Sequence, residues 1–546
     1  MEERIRQAVE KALTAVGSEA TFAVEWPSDP THGDYATNAA MVAAKALGKN
    51  PKVLAEELAP RIANELGSFA SSVSVAGPGF INMVLSAETV RAGIESATEE
   101  AWGKGNAKEN KRVSIEYACP NPFKEMHVGH LMSTVIGEAV ARTVENAGAT
   151  VIRDTYGGDV GPHVAQTLWA LRKEGVVDVA NASEVDKAYV HGKKAYEMSE
   201  DAKAEIDALN VAIYEGTDRE LMSLWRKCRE VCLESFRELF TVLGTTFDYY
   251  FFESEVTPVG MEVVRDGVAK GVFVESDGAV IYEGEKKGLH TLVFITSRGT
   301  PTYETKDVGL AFHKEEHVPS DEVIIETGAE QVGHFKVFLA ALSEIAPKVA
   351  EKMRHISHGL MTGPDGKKIS SRTGSALTAM GLLADVVKRA QEKNEDPLVA
   401  EQVAVGALKY MILRQAAGGN IVFDPEKSLS LDGDSGPYLQ YALVRARKIL
   451  SYEGGKGGEE TPLEPYAIER LIIRFPTVTA RAARELAPHY IAQYLTQLAS
   501  AWNSFYASEQ VLGSAEEAYK QKVAKAFSNT MTSGLGLLGI PTPERM

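Results

Sequence analysis

His127 and His130 stand three residues apart in the stretch NPFKEMHVGH, Asn121–His130, with Gly129 between them and Lys124 three residues before the first. Imidazoles placed this way can donate hydrogen bonds to phosphate oxygens as negative charge shifts in a displacement. Gly129 lets a phosphate or a flat group approach the backbone closely. A zinc-peptidase reading fails on spacing, because that chemistry sets its histidines four apart on a formed helix with a glutamate after the first. A purely structural pair at a loop–helix junction is the other reading of these residues taken alone. A second stretch, GPDGKKISSRTGS over Gly363–Ser375, mixes glycine and hydroxyl residues with Lys367, Lys368 and Arg372. That composition suits a loop that closes on phosphates. Seen alone, it reads equally well as a solvated basic turn.

The histidines need elements to position them. RVSIEYA, from Arg112, alternates as a strand. LMSTVIGEAVARTVENAG places Leu131, Val135, Val140 and Val144 on roughly one helical face, with Gly148 as its stop. TVIRDTY is a second strand, so the histidine loop joins strand to helix in a βαβ unit of a doubly wound parallel sheet. Ligands of such sheets bind at the carboxyl ends of the strands, and the helix N-terminus there favours anions. A long helical stretch, about 165–242, interrupts the sheet. Strand signals return in HTLVFIT and DEVIIETG, each followed by a helical stretch.

Before this lies a small α+β unit, residues 1–107. It carries two alternating strands around the Gly-Pro-Gly turn of SSVSVAGPGFINMVLS and ends in the polar linker GKGNAKENKR. After it, residues 398–546 read as an almost wholly helical bundle. The expected fold is therefore α/β: a Rossmann-like catalytic domain over 108–397, between an N-terminal α+β domain and a C-terminal all-α bundle. In the bundle Arg470, Arg474, Arg481 and Arg484 recur near helical spacing, and tyrosines accompany Arg445 and Arg447. Arginines can hold phosphate and tyrosines can stack on unpaired bases, although any one tyrosine reads equally as core.

The bulk numbers bound the class. A chain of 546 residues, 44% hydrophobic and 24% charged, has the balance of a globular protein of about three or four domains. No apolar run has the length needed to cross a bilayer, and the N-terminus has an amphipathic pattern rather than that of a signal peptide. Three cysteines, Cys119, Cys228 and Cys232, make no disulfide scaffold and suit a reducing, cytoplasmic setting. Cys228 and Cys232 lie four apart in a helical stretch with no second pair to complete a zinc site, so they read as core packing and no metal site is expected. The net charge of -17 argues against non-specific nucleic-acid binding without excluding a local basic face.

HVGH resembles the HIGH motif, and KKISS the KMSKS loop, of class I aminoacyl-tRNA synthetases. Over nearly its whole length the chain resembles the arginyl-tRNA synthetases. The stretches that carry the likeness are IEYACPNPFKEMHVGHLMSTVIGE, TYETKDVGLA, GAEQVGHFK, GLMTGPDGKKISSRTG, DGDSGPYLQYALVRARKIL and LGLLGIPTPERM, with HGDYATNAAM and GPGFIN in the first domain. The resemblance implies activation of arginine by ATP to arginyl-adenylate, then transfer to the 3′ end of tRNA(Arg), with activation dependent on tRNA. It implies ATP with Mg2+ as the substrate complex, no tightly bound cofactor, no membrane, and a monomer.

The resemblance also implies roles. His127, Gly129 and His130 contact ATP, and the histidines stabilise the reacting phosphate. Lys368, Ser370, Ser371 and Arg372 belong to the ATP loop. Ser371 stands where the usual motif has its second lysine, and Lys124 is the expected substitute, neutralising the leaving pyrophosphate. Lys124 otherwise reads as a surface lysine. Tyr303, Asp307 and Gln331 are assigned to the arginine side chain, Glu116 and Asn121 to its α-amino end. Tyr303 and Asp307 lie four apart, on one face of a helical turn, and a carboxylate is the natural partner of a guanidinium. Without the family, Asp307 is a solvated helix acid. Phe80 and Asn82 are candidates to receive a tRNA D-loop base; Tyr438, Tyr441, Arg445 and Met546 are candidates for anticodon-side contacts. Three rivals share some of these features. A small nucleotidyltransferase has no need of the helical bundle. A tRNA-binding paralogue without chemistry has no need of the full residue set. A class I synthetase for an apolar amino acid would not carry Asp307 unpaired in its pocket.

Overall fold

The strand that precedes the histidine loop, Arg112–Glu116, is the middle strand of a five-stranded, all-parallel sheet. The order across the sheet is Met353–His358, Glu322–Gly328, Arg112–Glu116, Thr150–Gly157, Tyr249–Phe252. From the middle strand the chain runs first to one side, through Thr150–Gly157 and Tyr249–Phe252. It then returns to the other side, through Glu322–Gly328 and Met353–His358. The topological switch point therefore falls between Arg112–Glu116 and Glu322–Gly328, and a crevice opens at their carboxyl ends. Residues 113–116 are buried, as expected of a parallel strand covered on both faces. The computed structural model describes residues 1–27, 29–367, 378–416, 418–452 and 457–546. Among these, no helix is long and apolar enough to cross a membrane.

The helix after the loop, Val128–Asn146, is buried on nearly every side rather than along one stripe. Ser133, Thr134, Glu138 and Thr143 are covered along with its apolar residues. It packs against the sheet and against the helices Ala379–Gln391 and Pro397–Leu413, so all its faces are occupied. Glu138 is tolerated there because Arg142 (2.7 Å), Arg153 (3.1 Å) and the Tyr117 hydroxyl (2.6 Å) surround it. The expected helical interruption consists of Pro162–Lys173, Ala182–Met198, Glu200–Glu215 and Arg219–Val242. Cys228 and Cys232 are buried on the last of these, which Asp218 caps by accepting from the N–H groups of Glu220 and Leu221.

HTLVFIT departs from the expected parallel sheet. Leu292–Ile295 pairs antiparallel with Ala279–Tyr282, which pairs in turn with Val274–Ser276. A β-branched run specifies a strand but not its partner. Here Phe294 joins Phe273 and Tyr282 in a core with Phe335 and Phe338.

The described residues form two compact units. The sheet lies in one of them, made of Gly105–Gln440, Ala482–Ala492 and Leu535–Met546. In it, the buried Lys409 ammonium donates to the carbonyls of Leu243 and Gly539, both at 2.6 Å, anchoring the C-terminal segment. The other unit is made of Met1–Lys104, Tyr441–Arg481 and Gln493–Gly534. Its antiparallel sheet runs Val24–Glu25, Tyr35–Thr37, Phe80–Leu85, Ala70–Ala76, with the Gly-Pro-Gly turn between the last two in chain order. Within this unit Arg470 pairs with Asp34, and the Arg474 guanidinium lies 5.4 Å over the Trp26 ring. The side chains of Arg470 and Arg474 are thus engaged inside the unit, whereas helical spacing alone had suggested phosphate contacts.

Candidate active site

The loop from Glu116 to Val128 carries three non-glycine residues with left-handed backbone: Ala118 (φ 68°), Cys119 (φ 46°) and Phe123 (φ 74°). Each such residue costs about 1–3 kcal/mol and persists only where its surroundings impose it. Side chains from other elements impose it here. The Ala118 N–H donates to Ser133 Oγ (2.9 Å), Cys119 N–H to Thr155 Oγ1 (3.2 Å), Phe123 N–H to Cys232 Sγ (3.4 Å) and Glu125 N–H to Asp186 Oδ1 (3.1 Å).

At the end of this loop the two histidines cap the helix reciprocally. His127 is the N-cap. Its Nδ1 accepts from the Gly129 N–H at 3.0 Å, and its own N–H donates to His130 Nδ1 at 3.1 Å. The rings stack with centroids 3.8 Å apart. A neutral imidazole whose Nδ1 accepts carries its proton on Nε2. Both rings therefore keep an Nε2–H donor that the cap does not use. Both are held below the ordinary imidazole range: His127 by burial and then Lys124, His130 more strongly by burial and then His127, Lys124 and His358. The neutral, Nε2-protonated form is the one that can serve phosphate oxygens without breaking the cap.

Gly129 serves the cap in a way that spacing did not reveal. A Cβ at this position would stand 2.8 Å from His127 Cε1 and 2.9 Å from Nδ1. Gly129→Ala is therefore expected to push the His127 ring off its N–H donor. The lost cap is worth about 1 kcal/mol of stability, seen as a small fall in melting temperature. The misplaced donor is expected to lower kcat about tenfold or more. Wild-type kcat in Gly129→Ala would separate the cap from the chemistry.

Lys124 is half-buried and makes no ion pair among the described residues. Burial lowers its pKa, Glu253 raises it, and its charge reaches both histidines. Asn121 Oδ1 accepts from the Gly158 N–H at 2.8 Å, and a Cβ on Gly158 would meet both Asn121 and the Glu253 carboxylate. Asn121, Lys124, Glu253 and the histidines thus occupy one neighbourhood at the carboxyl end of the sheet. Lys368, Ser370, Ser371 and Arg372 lie outside the described residues. The first described residue after them, Thr378, forms an antiparallel bridge with His127, and the Ala379 N–H donates to the Met126 carbonyl at 2.8 Å.

Tyr303 opens the helix Tyr303–His317 and is 67% exposed. Asp307 lies one turn on, with its side chain only 19% exposed, and is not solvated as a helix acid read from spacing would be. Its Oδ2 is 2.5 Å from His334 Nε2, while Glu304 is 3.5 Å from His334 Nδ1. Burial would lower His334, but its bonds to Asp307 and Glu304 raise it to about 10, so it stands as an imidazolium. Burial raises Asp307, and the His334 imidazolium offsets only part of that rise. Gln331 is exposed at the N-cap of Val332–Ile345, directly after the strand Glu322–Gly328. Glu116 lines the same small cavity as Asp307 but is already paired: Lys314, buried, reaches Glu116 at 2.6 Å and Asp154 at 2.5 Å. Sequence reasoning missed Lys314, the Glu253–Lys306 pair (2.5 Å) and His334. His334 had one available signal, its place three residues after Gln331 inside GAEQVGHFK.

In the other unit, Phe80 is exposed at the start of its strand and Asn82 is buried. The Arg445 guanidinium lies 3.9 Å over Tyr506 and 5.6 Å over Tyr441, and it donates to Asn503 Oδ1 at 3.1 Å. Tyr506 and Asn503 are additions to the expected set. Tyr438 shares the helix Gly436–Leu450 with Tyr441 and Arg445, but Tyr438 and Met546, both half-buried, belong to the unit that holds the parallel sheet.

A parallel sheet with a histidine-capped helix at its switch point fits the catalytic core of a class I aminoacyl-tRNA synthetase. The comparisons agree. The family model of the class I (R) tRNA synthetase catalytic domain matches residues 96–424, that of the arginyl-tRNA synthetase N-terminal domain residues 1–85, and that of the DALR anticodon-binding domain residues 439–546. The arginine–tRNA ligase of Yersinia enterocolitica is 32% identical, covering 100% of this chain and 99% of its own. That of Yersinia pseudotuberculosis is 32% identical over 98% of each. Among solved structures, arginyl-tRNA synthetase from Thermus thermophilus superposes with a TM-score of 0.83 at 26% identity, over 100% of both chains. That from Plasmodium falciparum shares the fold, with a TM-score of 0.82 at 20% identity over 100% of this chain and 98% of its own. The chain belongs to the arginyl-tRNA synthetase family.

Proposed function

We infer that the protein activates L-arginine with ATP, supplied as its Mg2+ complex, and transfers the arginyl group to the 3′ end of tRNA(Arg). The arginine carboxylate attacks the α-phosphate, a P–O bond forms to it, and the bond to pyrophosphate breaks. A terminal ribose hydroxyl of the tRNA then attacks the activated carbonyl and AMP leaves. The observation that carries the reading is the reciprocal histidine cap at the switch point, which leaves two Nε2–H donors preorganised for a phosphate whose charge rises in the transition state. Lys124, near both rings and free of an ion pair among the described residues, is placed to receive the leaving pyrophosphate, with Lys368, Ser370, Ser371 and Arg372 completing the ATP site. Asp307, with Tyr303 and Gln331, takes the guanidinium. Asn121 and Glu116 take the α-amino end, Glu116 while bound to Lys314. Phe80 and Asn82 meet the D-loop side of the tRNA. Tyr438, Tyr441, Arg445 and Met546 meet the anticodon side, where the Arg445–Tyr506 stack offers a planar surface to a base. The same reading makes the protein a cytosolic monomer whose activation step needs bound tRNA.

The test is arginine-dependent exchange of labelled pyrophosphate into ATP, with and without tRNA(Arg). Exchange only with tRNA is the expected result. Exchange in both tubes keeps the ligase and removes the tRNA requirement. No exchange in either, with folded protein, overturns the arginine assignment.

A further inference from the structure

The crevice beside the switch point holds an inventory of charge in which one cation differs from the rest. Lys314 is taken by Glu116 and Asp154, and Lys306 by Glu253. The carboxylate assigned to the substrate, Asp307, is taken by His334, with Glu304 on the other ring nitrogen. His334 differs because its partner is the carboxylate assigned to the substrate, and an imidazolium loses its raised pKa once another cation takes that partner. The ring is also fixed in place: Phe335 packs edge-on at 5.3 Å and Phe338 stacks at 6.4 Å. Beyond the two acids, the titratable group that reaches it from the neighbouring strand is His355. Burial and then His334 lower His355 to about 4, so it stays neutral, and it bonds Thr327 Oγ1 at 2.8 Å. Glu304 and Lys306 are the charges that act on Asp307 besides His334, and Asp307 in turn is felt at Glu116.

We propose that His334 is a placeholder cation: its imidazolium neutralises Asp307 in the empty site, and the substrate guanidinium takes that carboxylate as His334 releases its proton to solvent. The step rests on the assignment of Asp307 to the guanidinium. It balances simply: the guanidinium keeps its charge, one N–H bond of the imidazolium breaks, and the proton passes to buffer. Without release, the guanidinium and the imidazolium would compete for the Asp307 carboxylate, because Glu304 stands further off, at 3.5 Å from the other ring nitrogen. The imidazolium of the empty site survives well above neutrality because its pKa lies near 10, and the arriving like charge lowers that value. Binding that releases a proton strengthens as pH rises between the bound and free pKa values. His334 is thus a positioning residue that ties arginine affinity to pH and offsets the charge of Asp307 when the pocket is empty.

The test is the arginine KM in tRNA-saturated pyrophosphate exchange between pH 7 and 8.5, for the full-length wild type, His334→Gln and Asp307→Asn. In wild type the KM is expected to fall with rising pH, by up to about tenfold per unit for one released proton. In His334→Gln, whose amide can still bond Asp307, it is expected to stay flat. A purely structural histidine would alter KM without changing that slope. A flat wild-type profile overturns the proposal, and so does a slope that survives His334→Gln, since the proton would then come from elsewhere. Should His334→Gln not fold, proton release on arginine binding to the wild type with tRNA, measured by calorimetry in two buffers of different ionisation enthalpy, decides the matter: about one proton supports it and none overturns it. Asp307→Asn separates the underlying assignment. A wild-type KM there defeats the guanidinium reading itself, whereas a raised KM beside a flat wild-type profile defeats only the role of His334.

Discussion

Asp307→Asn is expected to raise the arginine KM by two to three orders of magnitude while leaving the KM for ATP and the affinity for tRNA within a few-fold of wild type. The substitution keeps the shape of the side chain and removes its charge. Truncating one partner of a buried, hydrogen-bonded charge pair costs about 2–5 kcal/mol, and each 1.4 kcal/mol is about a factor of ten. The upper part of that range applies only where water is excluded. The Asp307 side chain is 19% exposed, and its neighbours on the helix Tyr303–His317 include the buried Thr305 and Val308. His334 would keep Glu304 as its partner at 3.5 Å, so the fold loses one contact and the melting temperature should move by only a few degrees. The measurements are steady-state exchange with arginine and ATP varied separately, and a filter-binding isotherm for tRNA(Arg). An arginine KM within threefold of wild type would sink the guanidinium assignment. A parallel loss of tRNA binding would point to a general fault in the fold.

The legible part of this molecule was the part written in local periodicity. The alternation of RVSIEYA and TVIRDTY, and the helical pattern between them, placed the histidine loop at the carboxyl end of a parallel sheet, where it stands. Tyr249–Phe252 and Met353–His358 went unrecognised because an outer strand of a doubly wound sheet has less burial to display: Met353–His358 reads MRHISH, with only His358 buried. HTLVFIT shows the converse limit, since its apolar run announced a strand but not that it pairs antiparallel with Ala279–Tyr282, outside the parallel sheet. The electrostatics of the crevice were least legible. Lys314 sits in HKEEH, a run that composition assigns to a solvated face, yet its ammonium is buried between Glu116 and Asp154. Long-range pairing of this kind leaves no periodic trace, because its partners lie some 160 to 200 residues away in the chain. The histidine pair falls between these cases. Its spacing declared a function, but the reciprocal cap that sets both tautomers emerges only once the helix start is known to fall at Val128.

That cap also fixes what removing one ring should do. His130→Ala is expected to lower kcat for activation by about 10²–10³-fold, the usual cost of deleting one preorganised donor to a developing oxyanion. The KM values for arginine and ATP should change by only a few-fold, because the donor is realised mainly in the transition state. Stability should fall by about 1 kcal/mol, since the His127 N–H loses its acceptor at the helix N-terminus. His127→Ala should resemble it, and the double variant should be far less impaired than the product of the single effects. The reason is structural: each ring is oriented through the other, by the His127 N–H to His130 Nδ1 bond and the 3.8 Å stack, so losing either one releases both donors. The pH dependence follows from the same geometry. Protonating Nδ1 would break the cap, and burial together with the charge of Lys124 holds both rings neutral below the ordinary imidazole range. As pH falls through about 6.5, where a free imidazole would titrate, wild-type kcat should therefore stay level and decline only at lower pH. Single-turnover measurement of adenylate formation from pH 5.5 to 8 gives both readouts. A wild-type acid limb at the free-imidazole position that disappears in His130→Ala would show that His130 titrates unperturbed and that its Nδ1 is not committed to the cap. A level profile with a hundredfold slower variant would identify the neutral Nε2–H as the group that meets the reacting phosphate.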